Sequence, residues 1–168
     1  VREWVPYFTL IAATNRPGDL TTSFRDRLRL SLRLEPYNDK DSAKIARQAL
    51  DKMEIKCSPK TASMIAARGR GVPRKILGIC EQIRDIAIAK TKSSATPAIC
   101  QKAFESLGVD QLGLLRQDIE LLQHLARSIG QPLGLQTIAS MLGEDQRAIE
   151  ESIEPFLLAK GLIARTQR

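Results

Sequence analysis

Asn15, Arg25, Arg27 and Arg74 are among the side chains in the sequence whose types can bind phosphate groups. A guanidinium group stays charged and donates hydrogen bonds in a planar fork, which suits phosphate oxygens. Phosphoryl transfer needs little more from a protein than positioned positive charge and an oriented water. Each residue also has an ordinary explanation. Arg25 and Arg27 could pair with Asp26 or Asp19 on the surface, Asn15 could form a turn, and Arg74 could simply follow a proline-initiated helix start.

Other common catalytic and metal-binding motifs are absent from the sequence. There is no GxxxxGK(S/T) phosphate-binding loop, and no apolar strand ends in an Asp-Glu pair that could hold magnesium. His124 is the single histidine and has no partner at metal-ligand spacing. Cys57, Cys80 and Cys100 form an odd set without CxxC spacing, which predicts free thiols in a reducing compartment. We therefore expect no metal site in this chain.

The elements that carry Asn15 and the first two arginines are short. Residues 8–13 form an almost wholly apolar run, which predicts a strand buried on both faces of a parallel sheet. Turn formers follow at 14–19. Thr22 or Ser23 could then cap a short helix through Leu28. Residues 30–34 alternate in polarity and predict a second strand.

Arg74 lies in a stretch where the periodicity becomes helical. The pairs Ser58-Pro59 and Thr96-Pro97 are typical helix starts, with a capping hydroxyl before a proline at the first helical position. Apolar residues recur at helical spacing over four segments: 41–53, 58–67, 74–90 and 96–107. These segments predict an all-helical bundle, and residues 108–113 then predict a linker.

The last part of the chain has the element order of a winged helix-turn-helix. An apolar-periodic helix is predicted at 114–129, and a short one follows that Gly143 closes. A third helix is expected from Glu144 or Asp145 to Lys160, with Gly161 as its C-cap. Residues 162–166 predict a short strand, the beginning of a wing.

Charge is unevenly distributed along the 168 residues. The formal net charge is +7, which is compatible with a nucleic-acid partner. Residues 1–110 carry 20 Lys and Arg against 12 Asp and Glu, whereas residues 111–168 carry 6 against 7. DNA binding by the last part would therefore depend on a small local patch.

The sequence shows no membrane or secretion signal. No apolar run approaches the roughly 20 residues that span a bilayer, and the N-terminus has no signal pattern. We expect a cytoplasmic location. Because the chain begins at Val1 without an initiator methionine, we also expect it to be a piece of a longer protein.

A set of motifs in collinear order resembles the RuvB family of AAA+ ATPases, the motors of Holliday-junction branch migration. No single motif decides this resemblance, but the ordered set covers nearly the whole chain. It departs from the family at Leu28-Arg29, where Phe-Gly is usual, and at 77–82, where arginines are usual. The matching segments are FTLIAATNR (8–16), LTTSFRDR (20–27), RLEPY (33–37), ARGRGVPR (67–74), LGVD (107–110) and IEPFL (153–157).

This resemblance implies a mainly α fold with short β segments. Residues 1–37 would be the end of an AAA+ α/β core, 38–110 an all-helical lid, and 111–168 a winged helix with a truncated wing. The complete protein would be a homohexameric, ATP-driven DNA translocase of recombination and repair that uses ATP and Mg²⁺. It would bind four-way junction DNA and a RuvA-type partner through a region upstream of this chain. This part alone would be inactive, with no nucleotide bound.

The resemblance also assigns nucleotide-binding roles. Arg27 would be the arginine finger that reaches ATP in a neighbouring subunit, with Arg25 as the second candidate. Asn15 would be the sensor-1 residue that contacts the γ-phosphate or the attacking water, and Thr14 could share this role. Arg74 would be the sensor-2 residue at the start of a lid helix.

Helix-start and wing residues complete the implied sites. Pro73, with Gly71, would fix the helix start that aims the sensor-2 arginine. Arg165 and Arg168 on the wing would contact the DNA backbone, the contact expected of a motor that must pass every sequence. Two arginines at a disordered C-terminus are the alternative explanation.

Two other functions are open at this point. The first is an AAA+ clamp loader or initiator, which shares the sensors, the finger and the lid. The second is a non-enzymatic winged-helix DNA-binding module with a helical spacer. Sequence-specific binding to duplex DNA would favour the second function. The sequence upstream of Val1 would distinguish a clamp loader or initiator from a RuvB-type motor.

Overall fold

The computed structural model describes residues 6–128 and 130–166. The chain divides into two compact units, Val1–Glu35 and Pro36–Arg168. None of the helices among the described residues is long and apolar enough to cross a bilayer.

The described part of the first unit contains only one turn of 3₁₀ helix, Pro17–Asp19, and one short helix, α1 (Thr22–Arg25). Thr21 is its N-cap residue, so the expected cap at Thr22 or Ser23 and the extension through Leu28 are wrong.

The two strands expected in the first unit are also wrong. Residues 8–13 and 30–34 are assigned to no strand, and apolar side chains in them are exposed, with Ile11 at 90% and Leu34 at 92%. A strand needs a neighbour that accepts and donates its backbone hydrogen bonds. No described segment of the chain supplies that neighbour for either stretch.

The four helices expected after residue 38 are confirmed, with ends that differ by one or two residues. Three of them begin with side-chain caps: Asn38, Ser58 and Thr96 accept the amide N–H of the residue three positions on, at 2.8, 3.1 and 3.3 Å. These caps satisfy amides that a helix leaves without partners. The helices are α2 (Asp39–Lys52), α3 (Pro59–Arg68), α4 (Pro73–Ala89) and α5 (Pro97–Ser106).

The bundle surrounds a core in which Phe104, Leu50 and Ile83 are essentially fully buried. Two strands of two residues each, β1 (Lys56–Cys57) and β2 (Ser94–Ala95), pair in parallel beside it. They fasten the loop after α2 to the loop after α4. Strands of two residues leave no periodic pattern in the sequence, so neither could be predicted from it.

The last part of the chain has a second core around Leu121, Ile149 and Leu157. The expected closure of the short helix at Gly143, which has a φ of +66°, is confirmed. The third helix is expected from Glu144 or Asp145, and in the structure Asp145 is the N-cap of a helix that begins at Gln146. The helices are α6 (Arg116–Arg127), α7 (Leu135–Leu142), α8 (Gln146–Ala148) and α9 (Glu154–Ala159).

The third predicted helix is interrupted by one wide turn. A π-helical turn, Ile149–Ile153, joins α8 to α9, in which Pro155 is the second residue. Proline has no amide hydrogen and cannot complete the regular α-helical ladder, which accounts for a wider turn at this point. The strand expected at 162–166 is wrong, because the described residues contain no partner strand for it.

Candidate functional site

The residues expected to act on nucleotide in the first unit are exposed. Asn15 lies in a bend, and the hydroxyl of neighbouring Thr14 accepts the Arg16 amide at 2.9 Å. Arg25 ends α1, and Arg27 lies just beyond it. Within the part of the chain that the structure describes, the side chains of Arg25 and Arg27 make no ion pair, so neither pairs with Asp26 or Asp19.

Arg74 is the second residue of α4, directly after Pro73, and it is exposed. The N-cap residue of this helix, Val72, provides no side-chain cap. Ser58 and Thr96 do cap the helices that precede and follow it. The first-turn amides of α4 therefore remain able to bind an anion beside the guanidinium of Arg74.

The loop before α4 is fixed by close backbone packing. Arg70 and Gly71 both have a positive φ, +56° and +67°. The Gly71 carbonyl accepts the Tyr37 amide at 2.8 Å. A Cβ at Gly71 would lie 2.5 Å from the Tyr37 carbonyl oxygen, so no side chain fits there. The packing of this loop against Tyr37 thus fixes the position of the α4 N-terminus and of Arg74 within it.

Arg70 makes a buried contact with the last part of the chain. Its Nε donates to the Gly113 carbonyl at 2.7 Å, and its guanidinium pairs with Asp118. The same group lies over the Phe156 ring, 4.0 Å from the centroid. Asp118 also accepts the Leu115 amide at 2.6 Å. Arg70 therefore joins the loop before α4 to both α6 and α9.

Arg68, the last residue of α3, is also buried. Its guanidinium lies over the Phe104 ring at 4.0 Å, and Nη1 donates to the Met64 carbonyl at 3.0 Å. Its Nε has no hydrogen-bond partner among the described residues, and burial lowers the pKa of this guanidinium. Arg68, Arg70 and Lys75 line a cavity of about 230 Å³ between the helical bundle and Leu115.

Of the two arginines expected to contact DNA, Arg165 can be described. Its guanidinium donates to Glu154 Oε2 at 2.6 Å. This hydrogen bond, together with the charge of Glu154, raises the pKa of Arg165. Its side chain is 66% exposed, so a phosphate could compete with Glu154 for it. Arg168 lies outside the described residues.

The surface between α7 and α8 is mixed in charge. Arg147 lies there with Gln136, but Glu144, Asp145 and Glu150 line the same surface. The acidic groups disfavour close approach of this surface to DNA phosphates.

No group of three or more potential metal ligands among His, Cys, Asp and Glu occurs in the described part of the chain. His124 is half-buried in α6. The three cysteines are free thiols, and burial raises the pKa of Cys80 to about 12 and that of Cys100 to about 11.

Two family models match adjoining segments of the chain. The RuvB AAA lid domain matches residues 37–110, and the RuvB C-terminal winged helix domain matches residues 111–168. The chain belongs to the RuvB family. This assignment favours RuvB over the clamp-loader and initiator alternative, and it agrees with the mainly helical fold expected from the sequence.

Curated relatives carry the name "Holliday junction branch migration complex subunit RuvB". The protein from a Nitratiruptor species is 43% identical over 164 residues, 98% of this chain and 49% of the relative. A Helicobacter pylori protein is 41% identical, with the same coverage. The chain therefore spans about half the length of the curated relatives it matches.

Solved RuvB structures share the fold. The Thermotoga maritima structure described as the RuvB Holliday junction branch migration motor superposes with a TM-score of 0.81 at 31% sequence identity. The match covers 89% of this chain and 50% of that one.

The contact of Arg70 with Asp118 is the feature of this RuvB chain that sequence reasoning missed. The resemblance of the motif at 67–74 implies a role in nucleotide binding for Arg74 and none for Arg70. One signal was present: Asp118 lies at helical spacing from Leu114, Leu121 and Leu125, on the apolar face of α6. A carboxylate on a buried face predicts a buried cationic partner.

Proposed function

We propose that this chain provides the lid and winged-helix parts of an ATP-driven motor that moves Holliday junctions in recombination and repair. The observation that carries the proposal is the pair of adjoining RuvB domain matches over residues 37–168. The complete protein would work as a cytoplasmic homohexamer on four-way junction DNA. A RuvA-type junction-binding protein would contact it through a region outside this chain.

Arg27 is the proposed arginine finger for ATP bound by the neighbouring subunit. A guanidinium that stabilises charge on a phosphoryl group in the neighbouring subunit must be exposed and free of ion pairs within its own subunit. The exposure of Arg27, and its lack of an ion pair among the described residues, support this role. Arg25 has the same two properties and is the second candidate.

Asn15 is proposed to orient the attacking water or the γ-phosphate. An amide side chain can donate to phosphate and accept from water at once. The Thr14 hydroxyl accepts the Arg16 amide, which leaves its own hydrogen free to donate. Thr14 is therefore proposed as an accessory donor beside Asn15.

Arg74 is proposed to bind nucleotide phosphates in its own subunit. Pro73 places it in the first turn of α4, where the uncapped amides reinforce its positive charge toward an anion. The tightly packed loop before Pro73 would transmit the nucleotide state to the lid.

Exposed arginines fit the phosphates of ATP, which supplies the free energy of the motor when it is bound. Magnesium fits this chain less well, because the described residues contain no acidic cluster that could hold it. We propose that other parts of the complete protein bind Mg²⁺. The isolated chain would then neither bind ATP tightly nor hydrolyse it.

Arg165 and Arg168 are proposed to contact DNA phosphates. Such contacts position a protein on the duplex without reading its sequence, as a motor that passes every sequence requires. Residues 111–168 carry 6 Lys and Arg against 7 Asp and Glu, and this slightly negative net charge limits DNA binding to a few contacts.

DNA binding by the purified chain tests the proposal against a sequence-reading module. Fluorescence anisotropy would compare a labelled four-way junction, a duplex with the sequence of one arm and an unrelated duplex. We expect the two duplexes to bind equally, with affinity falling steeply between about 50 and 200 mM salt. Strong preference for one duplex sequence would contradict the proposal, as would robust ATP hydrolysis by the chain alone.

A further inference from the structure

We propose that Arg70 is a positioning residue that couples the helical lid to the winged helix. Movement of the α4 N-terminus, which carries Arg74, would thereby reach the winged helix. Its meaning for the motor rests on the proposed function, but the coupling itself can be measured without ATP or DNA.

The contacts of Arg70 all lie in the last part of the chain, although its backbone belongs to the lid. It binds the Gly113 carbonyl, the Asp118 carboxylate and the face of the Phe156 ring. These three groups come from the connection after α5, from the first turn of α6 and from α9. One side chain therefore fixes three separate segments against the lid.

The connection itself is held just as closely. A Cβ at Gly113 would lie 3.1 Å from the Ala67 carbonyl oxygen at the end of α3, and Gly113 has a φ of +82°. Asp110 Oδ1 accepts the amides of Leu112 and Leu114 at 2.8 and 2.7 Å. The expected linker is thus a folded turn that packs against the end of α3. The Gly113 carbonyl, which accepts from Arg70, is part of this turn.

Arginine is the side chain that this geometry requires. Its planar fork donates to the Gly113 carbonyl and the Asp118 carboxylate at once, while its face stacks on the Phe156 ring. A lysine ammonium is a point charge on a flexible stem and could not do all three. Because the Arg70 side chain is 4% exposed and that of Asp118 1%, separating them would leave buried charges without partners.

The route to the nucleotide site is short. Arg70 and Arg74 flank the turn that Gly71 and Pro73 shape, and the Gly71 carbonyl is bound to the Tyr37 amide. A shift of the α4 N-terminus must therefore either carry Arg70 with it or break the buried contacts. Since breaking them is costly, the lid and the winged helix would move together.

Residual dipolar couplings on the ¹⁵N-labelled chain test this coupling directly. The amides of α2–α5 and those of α6–α9 would be fitted separately to alignment tensors. In the unmodified chain we expect one common tensor. In Arg70→Gln we expect that agreement to be lost, with weaker alignment of the winged helix and native chemical shifts within each module.

Matched variants separate positioning from folding. Arg116→Gln removes an exposed pair with Glu120 in α6 and should keep the common tensor. Arg70→Lys should behave like Arg70→Gln, because charge alone does not restore the fork. If Arg70→Gln fails to fold, Asp118→Asn and Phe156→Leu remove the same contacts from the other side and should uncouple the modules.

A common tensor in folded Arg70→Gln and Asp118→Asn chains would overturn the proposal, and so would two different tensors in the unmodified chain. These results do not depend on ATP or DNA binding. Failure of the DNA-binding assay above would therefore leave the coupling of the two domains intact, and the reverse also holds.

Discussion

Arg70 and Asp118 form an ion pair that is almost wholly buried, although 48 positions separate them in the sequence. The carboxylate also accepts the Leu115 amide, and the guanidinium also donates to the Gly113 carbonyl. Each charge is thus compensated by its partner and by backbone groups, which is the condition under which buried charges are tolerated.

Removing either member of this pair should destabilise the chain strongly. We expect Arg70→Gln and Asp118→Asn each to lower the free energy of unfolding by about 3–5 kcal/mol, because the remaining group loses its buried partner. The double variant should lose much less than the sum of the two. Urea denaturation followed by circular dichroism measures all three values, with Arg116→Gln as an exposed control that changes little. Additive losses would contradict a direct interaction.

Two glycines near the lid loop should respond in opposite directions to alanine. Gly71→Ala should destabilise the chain by more than about 1 kcal/mol, because its φ is +67° and the new Cβ would meet the Tyr37 carbonyl oxygen at 2.5 Å. Gly78 lies inside α4, and a methyl group there would have no described neighbouring atom within 4 Å, so Gly78→Ala should stabilise by roughly 0.5–1 kcal/mol. Thermal unfolding of both variants checks this pair. Equal shifts in the melting temperature would refute the role of the loop geometry.

The buried thiols should be inert while the chain is folded. Burial raises the pKa of Cys80 to about 12 and that of Cys100 to about 11, so neither forms the reactive thiolate near pH 8. We expect a disulfide reagent to modify both only after denaturant is added. Cys57, which is partly exposed, should react first. Rapid native labelling of Cys80 would show that the lid core opens easily.

The same thiols should make stability fall at high pH. In the unfolded chain a thiol ionises near its ordinary pKa of 9.0, whereas in the folded chain it stays protonated until about pH 11–12. The stabilising contribution is therefore complete below pH 9 and is lost as the pH rises above it. Urea midpoints at pH 8 and pH 10 measure the change, and Cys80→Ala should reduce it.

The hydrogen bond and ion pair with Glu154 should weaken the binding of Arg165 to DNA phosphates, because the two acceptors compete for the same guanidinium. We expect Arg165→Gln to lower DNA affinity and to reduce the slope of log affinity against log salt by about 1, the loss of one phosphate contact. Glu154→Gln should raise affinity by releasing the guanidinium. Anisotropy titrations over a salt series compare the two variants. Unchanged DNA affinity in both would contradict the proposed contact of Arg165 with DNA.

How far the sequence predicts this molecule depends on the range of the interactions involved. Ser58-Pro59 and Thr96-Pro97 define helix starts locally, and the structure has both where the sequence predicts them. The strands expected at 8–13 and 30–34 require partner segments, and the described chain provides none. Arg25 in α1, Arg27 just beyond it and Arg74 in α4 could be proposed only from motifs. The position of Asp118 on an apolar helix face indicates a buried cation, but the identity of that cation as Arg70 depends on tertiary packing, which no local pattern encodes.

These residues are proposed to serve an ATP-driven motor that acts on four-way junctions. The most direct measurement is branch migration of a synthetic Holliday junction by the complete protein, with ATP and a RuvA-type junction-binding protein. We predict ATP-dependent conversion of the junction to duplex products, and a loss of about 10³-fold or more in ATP turnover for Arg27→Ala, as for other arginine fingers. Arg29→Ala, an exposed neighbour, should retain activity. A complete protein that leaves the junction in place in the presence of ATP would contradict the proposed motor function, and an Arg27→Ala variant with undiminished turnover would contradict the role of Arg27.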